Sequence, residues 1–238
     1  MKFSVVLPVH NEEDMLKRTF NTILDLKPNE VVVILDRCND KSELVIKALM
    51  QRSNANLKLI KVQAKSNWKI HLNFLYDLGI RSSSNDVILL TQADIALDPR
   101  IRDHIIKAER EILFFGYIPY LGWSSLITYA QFRLPYKYRS TGLIAFNRNL
   151  YYKYLSLDDT YVLFDTQIIM KTRAYGLPFR FIMTKSWNLR PYVRSKLYEL
   201  GLTRCILGDN VMKILMISLA RIQPEIFVGY VWCKLRKR

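Results

Sequence analysis

Cysteine, glycine and proline are all scarce in this sequence: its 238 residues include three cysteines, eight glycines and eight prolines. The cysteines, at positions 38, 205 and 233, are too few and too far apart for a disulfide framework or a metal cluster, so we expect free thiols. Scarce glycine and proline, with no segment of low complexity, argue against disordered regions. Glycine-rich phosphate loops of the Rossmann or Walker kind are also missing, which counts against dehydrogenases and P-loop ATPases.

Long apolar runs are absent as well, since no stretch reaches the roughly 18 uninterrupted apolar residues of a membrane-spanning helix. Acidic residues are outnumbered by basic ones, 21 to 36, and the net charge of +15 favours contact with phosphorylated substrates, nucleic acid or an anionic membrane. No helix-turn-helix, zinc-finger or RNA-recognition signature accompanies this charge, so no specific nucleic-acid partner is expected. Free thiols and the lack of a membrane span predict a cytoplasmic location.

Short apolar runs alternate with stretches of helical periodicity over the first hundred residues. The runs at residues 3–9, 31–35, 57–62 and 86–91 predict strands, and the stretches between them predict helices. This alternation predicts an α/β fold with a mostly parallel sheet flanked by helices. We expect one such domain at residues 1–200, followed by a hydrophobic and basic helical appendage at residues 201–238.

Polar loops follow the first, second and fourth predicted strands. They contain the segment His-Asn-Glu-Glu-Asp at residues 10–14, then Asp36, then Gln92-Ala93-Asp94. In open α/β sheets these loops meet at one edge, where ligands bind. Their acids and amides suit hydrogen bonds to a base and ribose, or a divalent cation that bridges two phosphates. Asn11 is expected to cap the first helix, and Asp98 the helix that follows Pro99.

Three features together resemble the inverting family-two glycosyltransferases of the GT-A fold. They are the segment Val-Val-Leu-Pro-Val-His-Asn-Glu-Glu at residues 5–13, the strand that ends in Asp36, and the Ala93-Asp94 pair that closes a later strand. The resemblance implies that a sugar passes, with inversion, from a nucleotide-diphospho-sugar donor to an acceptor hydroxyl. It also implies a set of residues that hold the nucleoside, namely Pro8, Val9, Asn11, Glu12 and Asp36.

Further ligand contacts are implied by the same resemblance. The stretch Lys-Ile-His-Leu-Asn at residues 69–73 matches a family pattern through Lys69 and Asn73. The Asp-x-Asp motif of the family corresponds to Gln92-Ala93-Asp94, which puts Gln92 at the ribose position and makes Asp94 the expected ligand of Mg²⁺ or Mn²⁺. Gln92 keeps a hydrogen-bonding end but lacks the charge. Arg190 lies in a late basic and aromatic element that is expected to contact the diphosphate.

The catalytic base implied by the resemblance is Asp165. The segment Phe164-Asp165-Thr166 resembles the Glu-Asp-Thr start of a helix in the family, with Phe164 in place of the glutamate, and predicts a helix over residues 166–175. A base on the acceptor side takes the hydroxyl proton, and a divalent metal on the other side stabilises the departing nucleoside diphosphate. Asp158 and Asp159 are the competing candidates for the base.

Residues 201–238 differ in character from the rest of the chain. Apolar runs at residues 211–219 and 226–231 precede a tail in which four of residues 234–238 are basic. Tyr230 and Trp232 beside this tail suit peripheral contact with the inner face of a membrane, where a lipid-linked acceptor would lie. A helix packed back on the domain is the alternative.

Two other functions stay open at this point. One is a nucleotidyltransferase, which also uses acids at strand ends but normally needs a basic, glycine-rich loop after the first strand. The other is a basic nucleic-acid-binding protein that has lost catalysis, an alternative that rests on Gln92 and Phe164 at positions where acids are expected.

Overall fold

A computed structural model of the chain describes residues 2–63, 68–118, 142–160, 162–190 and, toward the C-terminus, 201–202, 205, 210–221 and 224–236. Its contacts divide the chain into two compact units. The first comprises Met1–Ile118 and Lys137–Leu189, and the second comprises Pro119–Tyr136 and Arg190–Arg238. A domain boundary at residue 200 stays a prediction.

The first unit alternates strands and helices through its first hundred residues, as the hydrophobic periodicity predicts. Its strands are β1 (Phe3–Val9), β2 (Glu30–Asp36), β3 (Asn56–Val62), β4 (Val87–Leu90), β5 (Ile95–Ala96), β6 (Ile112–Ile118), β7 (Ile144–Asn147) and β8 (Phe179–Asn188). Its helices are α1 (Glu13–Asp25), α2 (Ser42–Met50), α3 (Trp68–Ser82), α4 (Ile101–Ile105), α5 (Arg148–Leu150) and α6 (Phe164–Ala174). A 3₁₀ turn at Ile106–Glu109 follows α4, and a π-helical turn at Tyr151–Leu155 follows α5.

These strands form one sheet in the order β3-β2-β1-β4-β7-β6-β8-β5. The pairs β3–β2, β2–β1 and β1–β4 are parallel. Beyond β4 the sheet is mixed, because β4–β7, β7–β6 and β8–β5 are antiparallel and β6–β8 is parallel. The α/β fold is confirmed. The strand order reverses between β1 and β4, and such a switch point leaves a crevice at the carboxyl ends of the strands.

Both faces of the parallel half of the sheet are covered by helices. Val5 and Leu7 of β1 pack in a core cluster with α1, α2 and α4, whereas Val6 packs in a second cluster with α3 and α6. Burial on both faces explains why β2 is an unbroken apolar run without alternation. Gly79 lets α3 approach the sheet closely, because a Cβ there would collide with the side chains of Val6 and Ile34.

The second unit contains the helices α7 (Val211–Arg221) and α8 (Pro224–Arg236), which pack against each other. Ile214 of α7 is buried in a small cluster with Ile226 and Tyr230 of α8. In the part of the chain that the structure describes, no helix has both the length and the apolar character needed to cross a membrane.

The cysteines of the second unit are paired. Cys205 and Cys233 form a disulfide, with their Cα atoms 6.2 Å apart and a separation of 28 positions in sequence. The expectation of free thiols is therefore wrong for these two residues, because the packing of α8 brings together positions that look scattered in sequence. Cys38 is free. Disulfides are rare in reducing compartments, so the free-thiol argument for a cytoplasmic location no longer holds. The cytoplasmic location itself stays a prediction.

Candidate active site

The loops that follow β1 and β2 are joined by hydrogen bonds in which backbone N–H groups donate to side-chain oxygens. Asn11 Oδ1 accepts one from the backbone N–H of Asn39 at 2.7 Å, and Ser42 Oγ accepts one from the Glu12 N–H at 2.9 Å. Asn11 has a left-handed backbone (φ 52°), which asparagine tolerates better than most residues. The expected capping role of Asn11 is wrong, since α1 begins at Glu13 and Glu12 is at the N-cap position. Asn11 instead holds the two loops together.

Pro8 and Val9, the last residues of β1, lie beside Ile34 and Leu35 of β2 in the parallel ladder. Val9 is buried, whereas Pro8 is partly exposed at the edge where β1 ends. Of the two, only Pro8 leaves side-chain surface exposed at this edge, and the nucleotide contacts of both residues stay predictions.

Asp36 closes β2 and is the centre of a hydrogen-bonded cluster. The Arg37 guanidinium donates from Nε to Oδ1 at 2.8 Å and from Nη2 to Oδ2 at 2.7 Å. His71 Nε2 lies 2.8 Å from Oδ1, and His10 Nδ1 lies 2.6 Å from the Asp36 carbonyl oxygen. Only 5% of the Asp36 side chain is exposed. The loop after β2 is thereby tied to the loop after β1 and to α3.

The carboxylate of Asp36 stays charged in this cluster. Burial alone would raise its pKa, but the hydrogen bonds from Arg37 and His71 outweigh burial and lower that pKa below its ordinary value. A carboxylate has about four acceptor positions. The contacts of Arg37 and His71 occupy three of them, and His10 Nδ1 lies 3.6 Å from Oδ2.

The matched stretch of α3 contacts several parts of the chain. Asn73 is buried, and its Nδ2 donates at 3.2 and 2.8 Å to the carbonyl oxygens of Thr160 and Val162. This contact gives Asn73 a structural task, and its predicted nucleotide contact stays a prediction. The Lys69 side chain lies outside the described residues, so its role stays a prediction. His71, which contacts Asp36, was missed because it has no metal-ligand spacing, although it lies in the middle of the matched stretch.

Gln92 and Asp94 lie just beyond β4, where the Asp-x-Asp counterpart was expected. The Gln92 amide packs against the backbone of Gly142, where a Cβ would collide with it. Asp94 is partly buried, and its carbonyl oxygen accepts a hydrogen bond from the Leu189 N–H at 2.8 Å. Gln92 is therefore held by Gly142, just before β7, and the backbone of Asp94 is held by Leu189, just after β8.

Asp165 lies in the first turn of α6. The helix begins at Phe164, two residues earlier than predicted, with Leu163 at the N-cap position, so Asp165 is not an N-cap. Its Oδ1 accepts a hydrogen bond from the Thr166 N–H at 2.7 Å. An acid in the first turn is also favoured by the helix dipole. Phe164 is buried, and its ring lies 3.9 Å from that of Tyr76, centroid to centroid.

Tyr76 of α3 connects the surroundings of Asp94 and Asp165. Its buried hydroxyl donates to the carbonyl oxygen of Thr91 at 2.9 Å. Burial raises the pKa of Tyr76 well above its ordinary value, the carboxylates of Asp94 and Asp165 raise it further, and a hydrogen bond with the Gln92 side chain lowers it. Both acids therefore lie within electrostatic reach of one phenol. Sequence reasoning missed Tyr76, whose place in an apolar helical pattern is typical of ordinary core.

The competing acid Asp158 is engaged elsewhere, since its carboxylate forms an ion pair with Lys171 Nζ at 2.8 Å. Asp159 is exposed in the same loop.

Arg190 belongs by its contacts to the second unit, and its expected contact with the diphosphate stays a prediction. The expected capping role of Asp98 is wrong, since α4 begins at Ile101 with Arg100 at the N-cap position and no side-chain cap. Asp98 instead holds the turn before α4, because Oδ1 accepts the Arg100 N–H at 3.1 Å and Oδ2 accepts the Lys185 N–H at 2.8 Å.

A metal ion would find few protein ligands here. Within the described ranges, no three or more histidine, cysteine, aspartate or glutamate side chains are arranged to hold one. Mg²⁺ is commonly held by one or two carboxylates together with substrate phosphates and water. Asp94 supplies one carboxylate. The site therefore fits a divalent ion whose remaining ligands come from a diphosphate and water.

The fold and this edge are those of the GT-A class of α/β proteins, in which strand-end acids gather at the switch point of the sheet. Residues 4–155 match the model of glycosyl transferase family 2, and the chain belongs to this family. It is also 26% identical over 148 residues to the uncharacterized glycosyltransferase MG060 of Mycoplasma genitalium, an alignment that covers 58% of this chain. The chain spans about half (49%) of the length of that relative.

Several solved structures share the fold. TarS 1-349 of S. aureus, also solved with UDP-GlcNAc, has a TM-score of 0.63 at 15% identity, covering 88% of this chain and 66% of that one. The mannosyltransferase PcManGT of Pyrobaculum calidifontis, in complex with GDP-Man and Mn²⁺, has a TM-score of 0.67 at 14% identity, and the match covers 98% of this chain and 69% of that one. Glucosyl-3-phosphoglycerate synthase of Mycobacterium tuberculosis, with Mn²⁺, UDP-Glc and phosphoglyceric acid, has a TM-score of 0.57 at 14% identity, and the match covers 88% of this chain and 80% of that one. At these identities the likeness shows the fold alone.

Proposed function

We propose that this protein is an inverting glycosyltransferase that moves a sugar from a nucleotide-diphospho-sugar to an acceptor hydroxyl. One observation supports the proposal: the buried Tyr76 contacts both Thr91, three residues before Asp94, and Phe164, next to Asp165, in a chain of family two. A single displacement at an anomeric carbon needs one carboxylate for the acceptor proton and one to hold the metal ion that stabilises the leaving group.

The nucleoside would lie on the joined loops after β1 and β2, in contact with Pro8, Asn11, Glu12 and Asp36. The charged Asp36 carboxylate is an acceptor that suits an N–H of a base or an O–H of a ribose. Because Arg37 and His71 hold the carboxylate in place before a ligand arrives, little reorganisation is needed on binding. Lys69 and Arg190 would add positive charge for the diphosphate.

In the proposed reaction, the acceptor oxygen attacks the anomeric carbon and its proton passes to the Asp165 carboxylate. The bond between the anomeric carbon and the diphosphate oxygen breaks at the same time, and the nucleoside diphosphate leaves on the opposite side. A divalent ion, when bound by Asp94 and the diphosphate, supplies electrostatic stabilisation of the leaving group. The donor is proposed to be a UDP- or GDP-sugar, since solved relatives of the same fold bind UDP-GlcNAc, UDP-Glc and GDP-Man.

A panel of UDP- and GDP-sugars tests the proposal through thermal stabilisation of the protein, with and without Mn²⁺ or Mg²⁺. A ligand present at about 100 times its Kd stabilises the folded state by about 2.7 kcal/mol, which gives a clear shift in Tm. Hydrolysis or transfer of the stabilising donor is then measured by release of the nucleoside diphosphate. If no UDP- or GDP-sugar stabilises the protein or is consumed, the proposed function is wrong.

We also propose that the acceptor is lipid-linked and that α8 contacts a membrane surface. Val228, Trp232 and Leu235 follow at helical spacing on α8 and are 56%, 47% and 61% exposed. They lie on the side of the helix away from the buried Ile226 and Tyr230. Four of residues 234–238 are basic, so the apolar stripe continues into a positively charged tail that suits anionic lipid headgroups.

A further inference from the structure

Tyr76 occupies a junction between two parts of the proposed active site. It belongs to α3, is completely buried, and donates its hydroxyl hydrogen to the carbonyl oxygen of Thr91, the first residue after β4. On the other side its ring lies against Phe164, the first residue of α6, with an interplanar angle of 32°. One side chain thus touches the end of β4 and the start of α6.

Gln92 and Phe164, the positions that precede the two site acids in their motifs, both lie at the contacts of this tyrosine. Gln92 follows Thr91, whose carbonyl oxygen accepts the Tyr76 hydroxyl hydrogen, and Phe164 packs on the Tyr76 ring. Burying a charged group without a partner costs several kcal/mol. A neutral amide and a phenyl ring therefore suit a contact with a buried phenol better than two carboxylates would.

We propose that Tyr76 is a positioning residue, which sets the separation of the Asp94 and Asp165 carboxylates by joining the end of β4 to the first turn of α6. This inference rests on the proposed function for its catalytic consequence, but the joining itself is a property of the fold. The strongly raised pKa of Tyr76 keeps its hydroxyl protonated, so the hydrogen bond to Thr91 persists across the physiological pH range.

Tyr76→Phe tests the proposal, because it removes the hydroxyl and keeps the ring that packs on Phe164. Tyr151→Phe is the matched control. Tyr151 is equally buried in the same core cluster, and its hydroxyl bonds to the same helix α3, at Asp77 Oδ1, 2.5 Å away. Both variants lose a buried tyrosine hydroxyl that anchors α3, but only Tyr76 touches the end of β4.

Two readouts separate positioning from stability. The first is steady-state kinetics with the donor found in the panel: Tyr76→Phe should lower kcat by about 10- to 100-fold, the usual effect of misplacing a catalytic group, with little change in donor KM. Tyr151→Phe should lower Tm and leave kcat unchanged. The second is amide hydrogen exchange, which Tyr76→Phe should accelerate both at residues 92–97 and at residues 164–168, and Tyr151→Phe at neither.

The outcomes distinguish this inference from the proposed function. If the wild-type protein consumes no donor, the proposed function fails, and exchange at the two segments still decides whether Tyr76 joins them. If Tyr76→Phe retains the wild-type kcat, or leaves exchange unchanged at either segment, Tyr76 is an ordinary core tyrosine and the inference is overturned.

Discussion

His71 Nε2 and Asp36 Oδ1 lie 2.8 Å apart, and only 5% of each side chain is exposed. This contact joins the middle of α3 to the carboxyl end of β2. It fixes the orientation of the Asp36 carboxylate, which we propose as a contact of the nucleoside. Arg37 holds the same carboxylate from the other side, so Asp36 is a charged acceptor whose geometry is set before any ligand binds.

Asp36→Asn should weaken the binding of UDP or GDP by about 1–3 kcal/mol, because a charged hydrogen-bond acceptor becomes a neutral amide of the same size. Isothermal titration calorimetry measures the change. Asp98→Asn is the control, since Asp98 is also a buried carboxylate held by a neighbouring arginine but lies outside the loops after β1 and β2. Equal affinity of wild type and Asp36→Asn would remove Asp36 from the nucleoside site.

Asp98 should contribute stability that depends on pH. The hydrogen bonds from Arg100, opposed by burial and supported by the Lys185 N–H, lower the pKa of Asp98 to about 2. Because this pKa lies below the ordinary value of 3.8, the stabilisation is fully present above about pH 4 and is lost as the pH falls toward about 2. Asp98→Asn should cost up to about 2 kcal/mol at neutral pH, and less at high salt, since Arg100 is exposed.

Urea unfolding of wild type and Asp98→Asn checks this difference from neutral pH down to about pH 3. The gap between the two proteins should narrow as the pH falls. A gap that is constant with pH would assign the loss to the hydrogen bonds of the turn rather than to the charge of Asp98.

Asp94 should be required for any effect of a divalent ion on nucleotide binding, because it supplies the only carboxylate of the Gln92-Ala93-Asp94 segment. Asp94→Asn should abolish the additional thermal stabilisation that Mn²⁺ gives in the presence of UDP or GDP. Gln92→Asp should increase that stabilisation, because it restores the second carboxylate of the motif. Metal dependence that neither substitution changes would place the ion elsewhere or remove it from the mechanism.

Contact of α8 with a membrane predicts two separable effects on vesicle binding. Trp232→Ala should weaken binding to neutral and anionic vesicles alike. Changing the four basic residues among residues 234–238 to glutamine, with Leu235 kept, should weaken only the anionic case, by about 1 kcal/mol per basic residue near the surface. Trp187→Ala is the control, since Trp187 is a similarly exposed tryptophan in the first unit. Sedimentation that none of the changes affects would contradict the membrane contact.

Strands β1, β2 and β4 were predictable because they are buried on both faces and contain unbroken apolar runs. The run at residues 3–9 coincides with β1, and β2 extends one residue beyond its predicted apolar run at each end, to Glu30 and Asp36. The strands β5, β6 and β8 were not predicted. Most of β8 is exposed, and its pairing with β6 and β5 is long-range, so its own composition carries little strand signal.

The candidate site was predictable to the extent that it depends on strand ends. The topology rule brought the loops with Asp36 and Asp94 to one edge, because parallel neighbouring strands end together. The tasks of His71, Asn73 and Tyr76 could not be read in the same way. All three lie on α3, and which of them faces Asp36, the loop at residues 158–162 or the end of β4 depends on how that helix is rotated against the sheet.

Asp165→Asn should lower turnover by about 10²- to 10⁴-fold, the usual contribution of a general base, and leave donor binding nearly unchanged, because a base acts only in the chemical step. The asparagine oxygen can still accept the hydrogen bond from the Thr166 N–H, so the start of α6 should be preserved and Tm should change little. The test is kcat and donor KM with the donor and acceptor identified in the panel, together with Tm.

Asp158→Asn and Asp159→Asn are the parallel variants. Asp158 is paired with Lys171, so its substitution should lower stability slightly and leave turnover per folded molecule intact. Near-native turnover of Asp165→Asn together with a large loss in one of the other two would move the base into the loop at residues 158–162. Activity in all three would mean that the proton leaves by another group. A loss confined to kcat of Asp165→Asn, at unchanged donor KM and Tm, is the result that a base in the first turn of α6 requires.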